Sequence, residues 1–191
     1  MRRSRALPYE LHVDSRVDAL NGALVLLFRN TGAAGAVFHV YDRLHLDRIP
    51  RRYTVEPGKS LEDAWIASEP AGYDLWIHGP NGFVREFKGA HAASDAANPE
   101  VTARYDAARS AIELSVANKG RAACKLSVRS LYDKQGSKAF AVPAGESMIQ
   151  RWSVADSAGW YDLTVSAQGF ERRFAGRLET GHHTTSDPAT A

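Results

Sequence analysis

The sequence predicts an all-β protein made of two tandem immunoglobulin-like antiparallel β-sandwich domains. Three observations predict it: short runs in which apolar and polar residues alternate, turn residues recurring roughly every 8–12 positions, and a set of landmarks that occurs twice. The repeat is the strongest of the three. Val55-Glu56-Pro57-Gly58-Lys59-Ser60-Leu61 through Trp65 aligns with Val142-Pro143-Ala144-Gly145-Glu146-Ser147-Met148 through Trp152 at an offset of 87. Tyr73-Asp74-Leu75 matches Tyr161-Asp162-Leu163 at 88, and Phe83-x-Arg85-x-Phe87-x-Gly89 matches Phe170-x-Arg172-x-Phe174-x-Gly176 at 87. Asn30-Thr31-Gly32 matches Asn118-Lys119-Gly120. Landmarks kept in one order at a nearly constant spacing mark an internal duplication.

Within the first copy, strands are expected at Leu7 to Val13, Gly22 to Arg29, Ala36 to Tyr41, Tyr53 to Val55, Ser60 to Ile66, Tyr73 to His78 and Phe83 to Lys88. Turn signals bound them: Asn21-Gly22, Asn30-Thr31-Gly32, Pro57-Gly58, Pro70-Ala71-Gly72 and Pro80-Asn81-Gly82. In the run Tyr73 to His78, Tyr73, Leu75 and Ile77 share one face while Asp74, Trp76 and His78 share the other. The second copy repeats the scheme from about Val101 to Arg177, its last hairpin loop shortened to Ala167-Gln168-Gly169. No apolar period of 3.6 persists over three turns, so almost no helix is expected. The domain reading is 1–90 for the first sandwich, 91–100 for a small polar linker, 101–178 for the second sandwich and 179–191 for a polar tail. That linker would allow hinge freedom, the tail would be disordered unless it docks, and a monomer is expected.

Composition narrows the function classes. Hydrophobic residues make up 44% and charged residues 24% of the 191, as in ordinary globular proteins. Lys and Arg number 24 against 22 Asp and Glu, a net charge of +2, spread evenly over the two halves, so a nucleic-acid partner is not expected. The longest apolar run, Ala23 to Phe28, is far too short to span a membrane. Met1-Arg2-Arg3-Ser4 is basic, but no apolar stretch of the kind a secretory signal needs follows it. A single cysteine, Cys124, excludes an intrachain disulfide, and its apolar neighbours predict a buried thiol.

Candidate chemistry is sparse. His12, His39, His45 and His78 all fall in the first copy, but none has its partner two residues along one strand face, and the second copy lacks matching histidines. No metal or cofactor is therefore expected, and His182-His183 reads as a solvated pair. No Gly-x-Ser-x-Gly turn offers a nucleophile, Glu62 and Asp63 point to opposite sides of a strand, and no glycine-rich loop precedes a helix; no catalytic residue is expected. Arg85 and Arg172, each between two phenylalanines, suggest a role in the fold, by stacking on an aromatic ring or pairing with Asp74 or Asp162. Trp65 and Trp152 read as sheet-packing residues. Arg43, Arg48, Arg51 and Arg52 cluster around Ile49-Pro50, where they form either a solvated face or a contact with phospholipid headgroups or a neighbouring domain.

Gly35 to Asp42, Tyr53 to Gly58 and the run Tyr73-Asp74-Leu75-Trp76-Ile77-His78-Gly79-Pro80-Asn81-Gly82-Phe83 together resemble the C-terminal repeat domains of bacterial phosphocholine-preferring phospholipases C. The closing Gly176 to Gly181 and Ser186 to Ala189 look like the end of such enzymes, so the likeness covers nearly the whole chain. It implies a non-catalytic C-terminal module of an enzyme that hydrolyses phosphatidylcholine, in some members sphingomyelin as well, to phosphocholine. It implies a large catalytic phosphoesterase domain of the same polypeptide as partner, a phospholipid surface as a further contact, and a secreted or periplasmic protein exported by the twin-arginine route. The alternative is a carbohydrate-binding sandwich that uses Trp76, Tyr41 or Trp65 as a stacking platform.

Overall fold

The computed structural model describes residues 2–18, 21–66, 72–90, 95–133 and 136–190. A short strand β1 (Arg3–Ser4) precedes the seven strands of the first repeat: β2 (Leu11–Asp18), β3 (Ala23–Asn30), β4 (Ala36–Asp42), β5 (Arg51–Val55), β6 (Ser60–Ile66), β7 (Tyr73–His78) and β8 (Val84–Gly89). The second repeat has seven more: β9 (Pro99–Asp106), β10 (Ala111–Asn118), β11 (Cys124–Ser130), β12 (Lys138–Val142), β13 (Ser147–Ser153), β14 (Trp160–Ala167) and β15 (Phe170–Arg177); a last short strand is β16 (Thr184–Thr185). Among the described residues, helix is confined to two 3-10 turns, Ala107–Arg109 and Pro188–Thr190.

Each repeat folds as a sandwich with a core of its own. In the first, the sheet β2-β3-β6 covers β8-β7-β4-β5, enclosing Val13, Leu24, Leu26, Phe28, Phe38, Val40, Leu75, Ile77 and Phe87. In the second, β9-β10-β13 covers β15-β14-β11-β12 around Val101, Ile112, Leu114, Val116, Leu126, Val128, Trp152, Leu163 and Phe174. Period 2 is the cause: on β4, Ala36, Phe38 and Val40 are buried while Val37 faces out.

The repeated landmarks have physical reasons. Asn30 and Asn118 are both fully buried and act as keystones. Asn30 Nδ2 donates to the carbonyls of Ala34 and Val55 (2.8 and 3.0 Å), and its Oδ1 accepts from the Gly32 amide. Asn118 repeats the pattern with Ala122, Val142 and Gly120. A Cβ on Gly32 would fall 2.5 Å from the Pro8 carbonyl, and one on Gly120 would fall 2.2 Å from the Ala96 carbonyl, so both glycines admit the backbone that runs into the repeat's first strand.

Three expectations change. The first strand runs Leu11–Asp18 rather than Leu7 to Val13: the Pro8 and Glu10 carbonyls accept from the amides of Ala33 and Thr31, which holds this stretch against the β3–β4 turn outside the ladder. The segment 179–190 is docked. β16 pairs with β1, Trp160 Nε1 donates to the Thr185 carbonyl, the Tyr132 hydroxyl donates to Asp187, and Glu179 accepts from the Leu7 amide and from Asn81 Nδ2. Finally, hinge freedom is opposed by β15, which pairs antiparallel with β8 from Phe170↔Gly89 to Ala175↔Val84 and joins the two halves into one eight-stranded sheet. The described part of the linker includes the start of β9 at Pro99, while residues 91–94 lie outside the described residues.

Candidate functional site

The junction between the repeats gathers several buried polar groups, among them Arg85, Arg172, His12 and Glu86. In the β8–β15 ladder, Arg85 faces Phe174 and Phe87 faces Arg172, so equivalent positions exchange partners about a local two-fold axis. Arg85 is buried (1% exposed) and reaches from the first repeat into the second. Its Nη1 donates to the carbonyls of Val84 and Ala175 (2.8 and 2.9 Å), and its Nη2 donates to the hydroxyls of Tyr105 and Tyr161 (3.2 and 3.1 Å). Arg172 reciprocates, donating to the carbonyls of Glu171 and Lys88 and to the Tyr73 hydroxyl. The guanidiniums lie 4.0 Å from the Phe83 ring centre and 4.1 Å from that of Phe170. Stacking on aromatic rings is thus realised, whereas pairing with Asp74 or Asp162 is not, because those carboxylates lie on the opposite face of the sheet. The repeated glycine after each motif also has its reason: a Cβ on Gly89 would sit 2.7 Å from the Tyr73 hydroxyl, and one on Gly176 2.9 Å from that of Tyr161.

Beside these arginines β2 and β9 come together. Arg104 makes a two-pronged ion pair with Asp14 (2.8 and 3.0 Å), and the Tyr105 hydroxyl donates to the Leu11 carbonyl. His12 packs its ring 4.9 Å from that of Tyr105, with its Nε2 3.2 Å from the Thr31 hydroxyl. Burial, and after it the charges of Arg29 and Arg104, lower the His12 pKa to about 4, so this imidazole is neutral at physiological pH.

The outer face of the eight-stranded sheet carries a charge ladder. Arg173 binds Asp162 (2.7 and 2.8 Å) and Glu86 (2.6 Å), while Arg43 lies 3.7 Å from both Glu86 and Asp74. Hydrogen bonding to Asp162 raises the Arg173 pKa further above its ordinary value. Asp74 is raised by burial, against the opposing charges of Arg43 and Lys88. Residues 86 and 173 occupy equivalent positions in the two copies and face one another across the axis. There the duplicated sequence has diverged to opposite charges.

The four arginines singled out from the sequence do not form one site. Arg43 stacks over Trp76 (4.3 Å) and joins the ladder. Arg48 pairs with Asp42 at 3.7 Å. Arg51 turns toward β6, binding Asp63 at 2.9 Å and stacking over Trp65 at 4.1 Å. Arg52 is exposed on the other face of β5, opposite His39. Trp65 and Trp76 are half-buried, each with a guanidinium over its ring, and Trp152 is buried in the second core. His39 faces His78 across β4 and β7, but among the described residues no three His, Cys, Asp or Glu side chains are placed to hold a metal ion. Cys124 is buried, which pushes its thiol pKa up. Sequence reasoning missed Tyr105, the Asp14–Arg104 pair and the Glu86–Arg173 pair, and it considered His12 only as a metal ligand. Only the Glu86–Arg173 pair left a sequence signal: opposite charges at matched positions of the Phe-x-Arg-x-Phe motif.

The bacterial phospholipase C, C-terminal domain family model matches the chain twice, over residues 3–90 and 99–177. The chain is 45% identical over its whole length to a non-hemolytic phospholipase C of Burkholderia pseudomallei, of which it covers 28%. It is 42% identical, over 98% of its length, to a non-hemolytic phospholipase C of Pseudomonas aeruginosa, again covering 28% of that protein. A hemolytic phospholipase C of the same species is 34% identical and is covered over 29% of its length. Among solved structures, red sea bream transglutaminase aligns over 92% of this chain and 30% of its own at 8% identity and a TM-score of 0.23, a likeness too slight to bear on fold or function. The chain belongs to the bacterial phospholipase C C-terminal domain family, which it contains in two repeats, and it spans little more than a quarter of the relatives it matches.

Proposed function

We propose that the chain is a non-catalytic accessory module of a secreted phospholipase C that releases phosphocholine from phosphatidylcholine. It packs against the catalytic phosphoesterase domain of the same polypeptide and helps that domain engage a phospholipid surface. The observation that carries the reading is what the chain does with its ionisable groups. Arg85, Arg172, Arg104–Asp14 and Glu86–Arg173 are all engaged in joining one repeat to the other, so they serve the scaffold rather than a substrate. A rigid, doubly stitched scaffold suits a module that presents surfaces to a partner. The alternative, a sugar-binding sandwich, is less favoured because the Trp65 and Trp76 rings are half-buried and each already carries an arginine. Phosphocholine release from phosphatidylcholine vesicles by the isolated chain tests the non-catalytic reading. No turnover is expected, and turnover above the uncatalysed rate that survives repurification would reject it.

A further inference from the structure

One end of the first sandwich collects apolar side chains that face solvent. Of seven exposed large hydrophobic residues among the described ones, Leu44, Leu46, Ile49 and Ile66 lie there, with Ile49 87% and Leu46 68% exposed. The ladders place them together. Val40 pairs with Arg51 at the mouth of the β4–β5 loop, and Arg51 Nη1 lies 3.4 Å from the Ala64 carbonyl, two residues before Ile66. The loop is also built. The Arg43 amide donates to the Asp74 carbonyl, the Leu44 amide to Asp42 Oδ1, the His45 amide to the Asp42 carbonyl and the Arg48 amide to the His45 carbonyl, a chain of turns that fixes Leu46 and Ile49 outward. At the equivalent end of the second repeat, Tyr132 and Trp160 are tied to Asp187 and Thr185 of the C-terminal segment. At this end of the first repeat Leu44, Leu46, Ile49 and Ile66 stay exposed.

We propose that this end docks on a phospholipid surface, with Leu46 and Ile49, flanked by Ile66, entering the headgroup–acyl boundary while Arg48 and Arg52 meet lipid phosphates. The choice of a lipid rather than a protein surface rests on the function proposed above; the docking end itself rests on the geometry. Exposed aliphatic residues interleaved with arginines match an interface that is apolar below and anionic at the phosphate level. Arg43 and Arg51 remain in their internal pairs and Arg48 has Asp42 beside it at 3.7 Å, so the apolar insertion dominates. Binding should therefore depend only weakly on salt, changing by less than about threefold between roughly 0.1 and 0.5 M NaCl, where screening would abolish a purely charge-driven contact.

Flotation of the chain with phosphatidylcholine vesicles tests this. The wild-type chain is expected to float with the vesicles. L46D/I49D is expected to bind at least about tenfold more weakly, and Leu131→Asp, at an exposed apolar site of the second repeat, to bind like wild type. An environment-sensitive dye on Ile49→Cys should shift to the blue when vesicles are added. Failure of the wild type to float, equal binding by L46D/I49D, or an unshifted dye would overturn the proposal. So would a result in which L46D/I49D leaves flotation unchanged but makes the junction with the catalytic domain of the whole enzyme newly susceptible to protease. The proposal that the chain is an accessory module would survive each of these, because it is tested by turnover and not by flotation.

Discussion

Arg85 is the side chain on which the joining of the two repeats most depends, and Arg85→Ala measures how much. The substitution removes three hydrogen bonds that cross from the first repeat to the second, to the Ala175 carbonyl and to the Tyr105 and Tyr161 hydroxyls. It also empties a site walled by Phe83 and Phe174. Each lost bond counts for roughly 1 kcal/mol net, and truncating a large buried side chain costs about 2–5 kcal/mol for the cavity. Relief of the guanidinium's desolvation, several kcal/mol, offsets part of this. The expected cost is about 3–5 kcal/mol. Arg172→Ala should cost about 1–2 kcal/mol less, since Arg172 reaches a single tyrosine and its Nε has no partner. Equilibrium urea unfolding followed by tryptophan fluorescence and far-ultraviolet circular dichroism reads both. Wild type should unfold in one transition with coincident probes, because the β8–β15 ladder couples the cores. A cost below about 1 kcal/mol for Arg85→Ala, or two separate transitions in the wild type, would refute the reasoning.

Three further outcomes follow from the same junction. The His12 pKa of about 4 lies below its ordinary value of 6.5, so its contribution is fully present above about pH 6.5 and is lost as pH falls through 4; unfolding free energy should drop by about 3 kcal/mol over that interval, and His12→Gln should flatten the slope. Glu86→Arg places like charges across the axis and should destabilise by about 1–3 kcal/mol in thermal or urea unfolding, and the swap E86R/R173E should recover little of the loss, because it turns the new carboxylate toward Asp162 and the new guanidinium toward Arg43. Gly176→Ala forces a methyl group toward the Tyr161 hydroxyl at a backbone φ of +150°, which residues with a Cβ rarely adopt, and should cost about 1–3 kcal/mol in urea unfolding; Tyr161→Phe should not rescue it, because the strain stays and Arg85 loses an acceptor.

The strands were legible because alternation is local: Ser60–Ile66 and Tyr73–His78 carry their burial pattern in their own residues. The duplication was legible because Asn118, Gly120 and Gly176 repeat chemical requirements of backbone geometry that few other residues meet. The meeting of β8 with β15 was not, since the pattern of a strand is the same whether its edge faces water or its own duplicate. The docked segment 179–190 was equally hidden. Its partners, Trp160, Tyr132 and Leu7, lie far away in sequence, and nothing in a polar tail announces them. Nearness along the chain does not put the arginines on one surface, because neighbours on a strand face opposite ways: Arg51 turns to Asp63 and Arg52 to the outer face.

Deleting these repeats from the phospholipase C proposed to carry them tests the accessory role most directly. Activity should be measured for the enzyme with and without residues 1–191 on two substrates, phosphatidylcholine in vesicles and a short-chain phosphatidylcholine below its micellar concentration. An accessory module that serves the lipid surface predicts a loss of about tenfold or more on vesicles with monomer hydrolysis largely kept. Equal retention of both activities would contradict it.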